Sequence, residues 1–150
     1  FFVRLSEIDL IVGIKDPCHV PHNLFRAIQL LGERFVWIGN KRHNPGVLHF
    51  RYQAGIEGFT AGIINFAPEL LLALHQAGIQ KDWPRMIEIQ AQLAPLDSLR
   101  NVYGEAMLKI GLDLIGLTGG PVRPPRTEVP AEGCKKIQSE IRKLNLEIIK

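Results

Sequence analysis

Lys15 closes the run "LIVGIK", where β-branched apolar residues and a glycine lead directly into a charge. A lysine at the mouth of an apolar strand can lose the water around its ammonium group, which disfavours the charged form and leaves a neutral amine able to attack carbonyl carbon. That is the route to a Schiff-base lysine. Position alone suits equally well a lysine whose stem covers the strand end while its amine reaches solvent. A second group, "GNKRHN", sets Lys41 and Arg42 beside the end of the next apolar run. Two cations there can hold an anionic second substrate, or simply form a solvated loop. His19, His22, His43 and His49 gather around these runs but fit no zinc spacing, and Cys18 and Cys134 have no CxxC or Cys/His partner. The chain is therefore read without a metal site or a disulfide framework. It also contains no GxGxxG, P-loop or GxSxG motif.

Three strand-helix units must position these groups. "LIVGIK" has the continuous apolar character of a parallel strand covered on both faces, giving a first strand over Leu10 to Lys15. In "HNLFRAIQLLGER", Leu24, Ile28 and Leu31 recur at helical spacing, with Gly32 as a stop. "RFVWIGN" and "IEGFTAGI" predict two more strands, followed by a short helix ending near Gly55 and a helix from Pro68 to about Gly78. Beyond these, "DWPRMIEIQAQLAPLDSLR" and "YGEAMLKIGLDLIGL" are amphipathic helices, "TGGPVRPPRTEVP" is an extended connector, and "AEGCKKIQSEIRKLNLEII" is a last helix of alternating charge. The opening "FFVRLSEI" reads as the end of a helix that starts before Phe1, and the chain as a piece of something longer. Alternating strands and helices predict the α/β class, with functional residues at the carboxyl ends of strands, where Lys15, Gly39, Asn40 and Thr60 fall.

Composition narrows the partners. With 150 residues, 46% of them hydrophobic, the chain can build one core, and a formal charge of +3 with acids interspersed gives no nucleic-acid footprint. No run has the roughly 18 apolar residues of a membrane span, and no signal peptide is apparent. The expected setting is the cytoplasm, away from membranes.

The combination "IVGIKD", "FVWIGN", "GIEGFTAGIINFAPE" and "GPVRPP" resembles the carboxy-terminal half of the dihydrodipicolinate synthase and N-acetylneuraminate lyase family, over nearly the whole chain. The resemblance implies a (β/α)8 TIM barrel, of which residues 1–77 hold the last three β-α units and residues 78–150 a C-terminal helical extension. It also implies that Lys15 forms an imine with pyruvate or another 2-oxo acid, without a cofactor. Gly39 matches a seventh-strand glycine that lets substrate approach the backbone, its other reading being a strand-end turn; Thr60 falls where the eighth strand lines the pocket beside the bound 2-oxo acid, and Asn40 is a further substrate-binding candidate. Many members have an aliphatic residue followed by Ser where this chain has Thr60 and Ala61. Asn65 matches an asparagine before the last barrel helix and is read as a helix-entry hydrogen bond. The family's proton-transferring tyrosine and its hydroxyl-rich carboxylate motif would both precede Phe1.

The implied activity is a class I lyase or aldolase of the dihydrodipicolinate synthase type. A 2-keto-3-deoxy sugar-acid aldolase or dehydratase is the alternative, encouraged by Lys41 and Arg42, and a non-catalytic barrel remnant is a further one. A homodimer or homotetramer is expected, since the Leu- and Ile-rich C-terminal helices offer apolar faces. A flavodoxin-like phosphate binder is disfavoured, because no strand-end loop is the Gly/Ser-rich nest it needs.

Overall fold

A computed structural model of the chain describes residues 1–17, 20–41 and 46–147. A short α1 (Phe2–Leu5) precedes three parallel strands, β1 (Gly13–Lys15), β2 (Val36–Asn40) and β3 (Gly58–Thr60), which lie side by side in chain order. Helices α2 (Pro21–Leu31), α3 (Leu48–Ala54) and α4 (Pro68–Ile79) follow the three strands in turn. Then come α5 (Trp83–Tyr103), α6 (Glu105–Leu114) and α7 (Ala131–Arg142).

Local chemistry accounts for these boundaries. Pro21 and Pro68 sit in the first turns of α2 and α4, where the missing N–H has no intrahelical acceptor to lose. Asp82 caps α5 by accepting the Arg85 N–H at 3.1 Å. Gly55, at φ 111°, ends α3 in a left-handed cap whose N–H reaches the Arg51 and Tyr52 carbonyls. Gly104, at φ 59°, divides α5 from α6. The last helix stops at Arg142, short of the expected Ile149, and Asn145 lies beyond it at φ 49°.

The core lies on one side of the sheet. Phe35 and Trp37 meet edge to face at 5.8 Å, and the Trp37 indole N–H donates to the Gly32 carbonyl at 3.1 Å. Leu71 and Leu74 of α4, Ile89, Leu93 and Leu96 of α5, Met107 of α6 and Ile137 of α7 extend the same buried cluster. Gly111 brings α6 so close that a Cβ there would lie 2.3 Å from the Phe66 ring. One continuous core therefore crosses the expected 77/78 boundary, which falls in the last turn of α4.

β1 differs from expectation. It covers Gly13–Lys15 rather than starting at Leu10, and Leu10 and Val12 are 92% and 69% exposed. The reason is positional. Among the described residues β1 pairs with β2 alone, and no described element covers its second face.

Arg34 holds the segment that leads into β1. Its Nε, Nη1 and Nη2 donate to the carbonyls of Ser6, Ile11 and Ile8 at 3.0, 2.8 and 2.8 Å, and its guanidinium lies over the Phe35 ring. Hydrogen bonds from a charged donor contribute about 1.5–3 kcal/mol each. Arg34→Met is expected to speed amide exchange across residues 6–12 by about tenfold or more, with little movement of the global unfolding midpoint. Hydrogen-exchange mass spectrometry checks this; unchanged protection would show that packing, not Arg34, retains the segment.

Candidate functional site

Parallel pairing decides which strand-end side chains can meet. Lys15 pairs with Ile38, Gly39 with Phe59 and Asn40 with Thr60. Successive residues point to opposite faces, so Lys15, Ile38, Asn40 and Thr60 share one face while Ile14, Trp37, Gly39 and Phe59 share the other. Burial agrees. Trp37 and Gly39 are buried under the helices, whereas Lys15 and Thr60 are exposed and Asn40 is half-buried. The Lys41 N–H continues the ladder to the Thr60 carbonyl at 3.0 Å, which assigns the Lys41 side chain to the helix side.

The amine of Lys15, the amide of Asn40 and the hydroxyl of Thr60 thus stand at the carboxyl ends of adjacent strands, on the face that the helices leave open. An amine beside an amide and a hydroxyl can attack a carbonyl and hold the polar groups next to it. Lys15 is exposed among the described residues, which do not themselves supply the desolvation expected of a strand-mouth lysine.

Two expected roles change. Gly39 faces the helices, and a Cβ there would lie 2.7 Å from Ile56 Cδ1 and 3.7 Å from Arg51 Cδ. Its smallness serves packing on the outer side, not approach of a substrate on the inner one. Lys41 is 1% exposed and its Nζ is bonded to the Asp97 carboxylate of α5, itself 4% exposed, so it is not available to an anionic substrate at the mouth. Burial lowers the Lys41 pKa and raises that of Asp97, each effect opposed by the attraction of the pair. Arg42, His19, His43 and Cys18 lie outside the described residues.

Beside that pair runs a charged network that is buried at Arg100 and opens to solvent at Glu105 and Arg126. Arg100 lays its guanidinium against Gly62, where a Cβ would fall 1.9 Å from Nη1, and its Nη2 stands 3.8 Å from Glu105. Glu105 also accepts from Arg126 Nε at 3.1 Å. Residues following Asn40 and Thr60 are therefore both gripped by α5. Arg51 of α3 is 2% exposed and donates from Nη1 to the Asp16 carbonyl at 3.1 Å, beside Lys15. A signal for these groups was present: Asp97 and Arg100 repeat the core spacing of Leu93 and Leu96, and Arg51 that of Leu48 and Tyr52. Charges on an apolar stripe need buried partners, yet the stripe alone does not say which.

The remaining polar groups are structural. Asn65 donates to the Gly62 carbonyl at 2.8 Å within its own turn. His49 packs against α5, with Gln90 Nε2 3.3 Å from its Nδ1, while His22 is exposed on α2. Among the described residues no three His, Cys, Asp or Glu side chains converge as metal ligands, and no helix is long and apolar enough to cross a membrane.

Three parallel strands side by side in chain order, each followed by a helix, have the arrangement of part of a (β/α) barrel. A model of the Dihydrodipicolinate synthetase family matches residues 1–144, and the chain belongs to that family. A protein of Oceanobacillus iheyensis named "Probable 5-dehydro-4-deoxyglucarate dehydratase" is 24% identical over 146 residues, covering 93% of this chain and 47% of its own. One of the same name from Leptothrix cholodnii is 32% identical over 130 residues, covering 81% of this chain and 42% of its own. The crystal structure of dihydrodipicolinate synthase from Aquifex aeolicus matches with a TM-score of 0.87 at 22% identity, over 99% of this chain and 50% of that one. The chain spans about half the length of the curated relatives it matches, and its fold is a partial TIM barrel of the α/β class.

The Lys41–Asp97 pair gives a stability test. Removing one partner of a buried pair leaves the other charge uncompensated, so Asp97→Ala is expected to cost about 3–5 kcal/mol. The double change K41M/D97L, which removes both charges while keeping volume, is expected to recover most of that loss. Chemical denaturation of the three proteins checks this; equal losses in the single and double variants would show that the pair is not coupled.

Proposed function

We propose that the chain forms the Lys15 side of a Schiff-base lyase acting on pyruvate or a related 2-oxo acid. The observation that carries the reading is Lys15 at the end of β1, sharing a face with Asn40 and Thr60. In this reading Lys15 Nζ adds to the keto carbon and the carbonyl oxygen leaves as water. The protonated imine then acts as an electron sink. Loss of a proton from the adjacent carbon gives an enamine, which can attack an aldehyde or expel a hydroxide from the next carbon. The imine supplies the electrophile, so the chemistry calls for no metal or cofactor.

A sugar-acid substrate, a 2-keto-3-deoxy acid that loses water, is supported over simple pyruvate condensation by the dehydratase name of the relatives. Lys41 no longer contributes to that preference, since Asp97 engages it. Residues 1–77 would supply three β-α units of the barrel and residues 78–150 a helical layer braced against their strand ends; the rest of the barrel would come from outside these residues. Assembly as a homodimer or homotetramer is supported by Ile79, Ile87 and Val102, exposed on α4 and α5. A small polar substrate fits a cytoplasmic enzyme.

Incubating the complete protein with pyruvate and borohydride, followed by intact mass and peptide mapping, is expected to give one reduced adduct on Lys15, absent in Lys15→Arg. A 2-keto-3-deoxy sugar acid should then lose water in the parent and not in the variant. No adduct with either acid would overturn the Schiff-base reading in favour of a non-catalytic barrel remnant.

A further inference from the structure

We propose that Arg51, reaching from the helix layer beneath Gly39, is the positioning residue that aims Lys15. The inference rests on the Schiff-base reading and adds to it a residue outside the strand-end face.

A guanidinium is always charged and is rarely taken out of water, yet Arg51 is among the fully buried side chains of this chain. Its place on α3 sends the side chain past Ile56 and Gly39 toward the end of β1. There Nη1 donates to the carbonyl of Asp16 at 3.1 Å, while the Asp16 N–H donates to the Ile38 carbonyl at 2.9 Å. The chain leaving Lys15 is thereby fastened to β2 and to α3. Both bonds fall on the residue that follows the amine-bearing one.

That second fastening matters because β1 is three residues long and Asp16 is the first residue past its end. The ends of short strands fray at low free-energy cost. A frayed Asp16 would let the Lys15 backbone turn and swing the Cα–Cβ bond that sets where Nζ lies. Misplacement of a reacting group by about 1 Å costs on the order of a hundredfold in rate. Gly39 belongs to the same device. Its missing Cβ leaves room for Ile56 and, at ordinary contact distance, for the Arg51 stem, which explains a glycine that faces away from the substrate side.

Arg51 would touch neither substrate nor the reacting amine, so its loss should slow the chemical step more than it weakens capture of the 2-oxo acid. The test measures, in the complete protein, the rate of pyruvate-dependent borohydride trapping at Lys15 against pyruvate concentration for the parent, Arg51→Lys and Arg51→Met. Lysine can still donate to the Asp16 carbonyl, through one group instead of a rigid fork; methionine keeps the apolar stem and donates nothing. The expected order at saturation is parent, then R51K slower by about threefold to tenfold, then R51M slower by about thirtyfold or more. The half-saturating pyruvate concentration should stay within about twofold throughout, since no contact to the acid is removed. R51M trapping at the parent rate, R51K no faster than R51M, or a change confined to half-saturation would each overturn the proposal. Should R51M fail to fold, R51K decides alone: trapping within about twofold of the parent overturns the proposal, and a slower rate with unchanged half-saturation and unchanged Tm upholds it. A parent that gives no Lys15 adduct at all refutes the Schiff-base reading itself, an outcome separate from any ranking of the variants.

Discussion

The ladder that pairs Lys15 with Ile38 and Asn40 with Thr60 is the constraint on which the other features depend. A parallel strand has a side-chain period of two, so this register sends every second strand-end residue inward and the rest toward the helices. It gathers an amine, an amide and a hydroxyl on one face from three separate strands. The same register commits Gly39 and Lys41 to the opposite side, where helices α3 and α5 must accommodate them. Site and packing are therefore two sides of one hydrogen-bonding arrangement.

Much of this was legible in the amino-acid order. The three strand-helix units could be read from continuous β-branched runs, from prolines opening α2 and α4, and from the glycine closing α2. Lys15 stood out because an apolar strand rarely ends in a charge. What escaped was direction. "GNKRHN" looks like a polar loop, yet its lysine is one ladder step past Asn40, and parity carries it under α5. Composition marks a residue as charged; only pairing says on which side of a sheet the charge lies. Gly39 escaped for the same reason, because a strand-end glycine suggests close approach without saying of what. The shortened β1 reflects a different limit: Leu10 has a strand-like side chain, but a residue becomes strand only where a neighbouring backbone pairs with it, and the ladder reaches back only to the Val12 carbonyl, which accepts the Val36 N–H at 2.9 Å.

The helices after residue 78 add constraint as well as area. Asp97 takes the ammonium that follows Asn40, and Arg100 lies on the glycine two residues after Thr60. One helix thus holds two of the three strand ends from behind. Arg51 holds the third from α3. Each of the polar side chains on the open face is followed, within two residues, by a point tied to the helical layer, so the face inherits its rigidity from elements that never reach it.

Buried charges are a costly means of holding strands, since an apolar set of similar volume often serves stability as well. Their advantage here lies in what they forbid. Slipping β2 by one residue against its neighbours would turn Lys41 inward and Asn40 outward, stranding Asp97 under α5 without its cation. Leaving one buried charge unpaired costs about 3–5 kcal/mol, whereas an apolar residue at position 41 would tolerate the slip far better. Trp37 and Gly39 oppose the same slip from the helix side, one by its buried ring and the other by the Cβ it lacks. The Lys41–Asp97 pair therefore protects the site by penalising the one-step error that would dismantle it, and it does so without any contact to the substrate face.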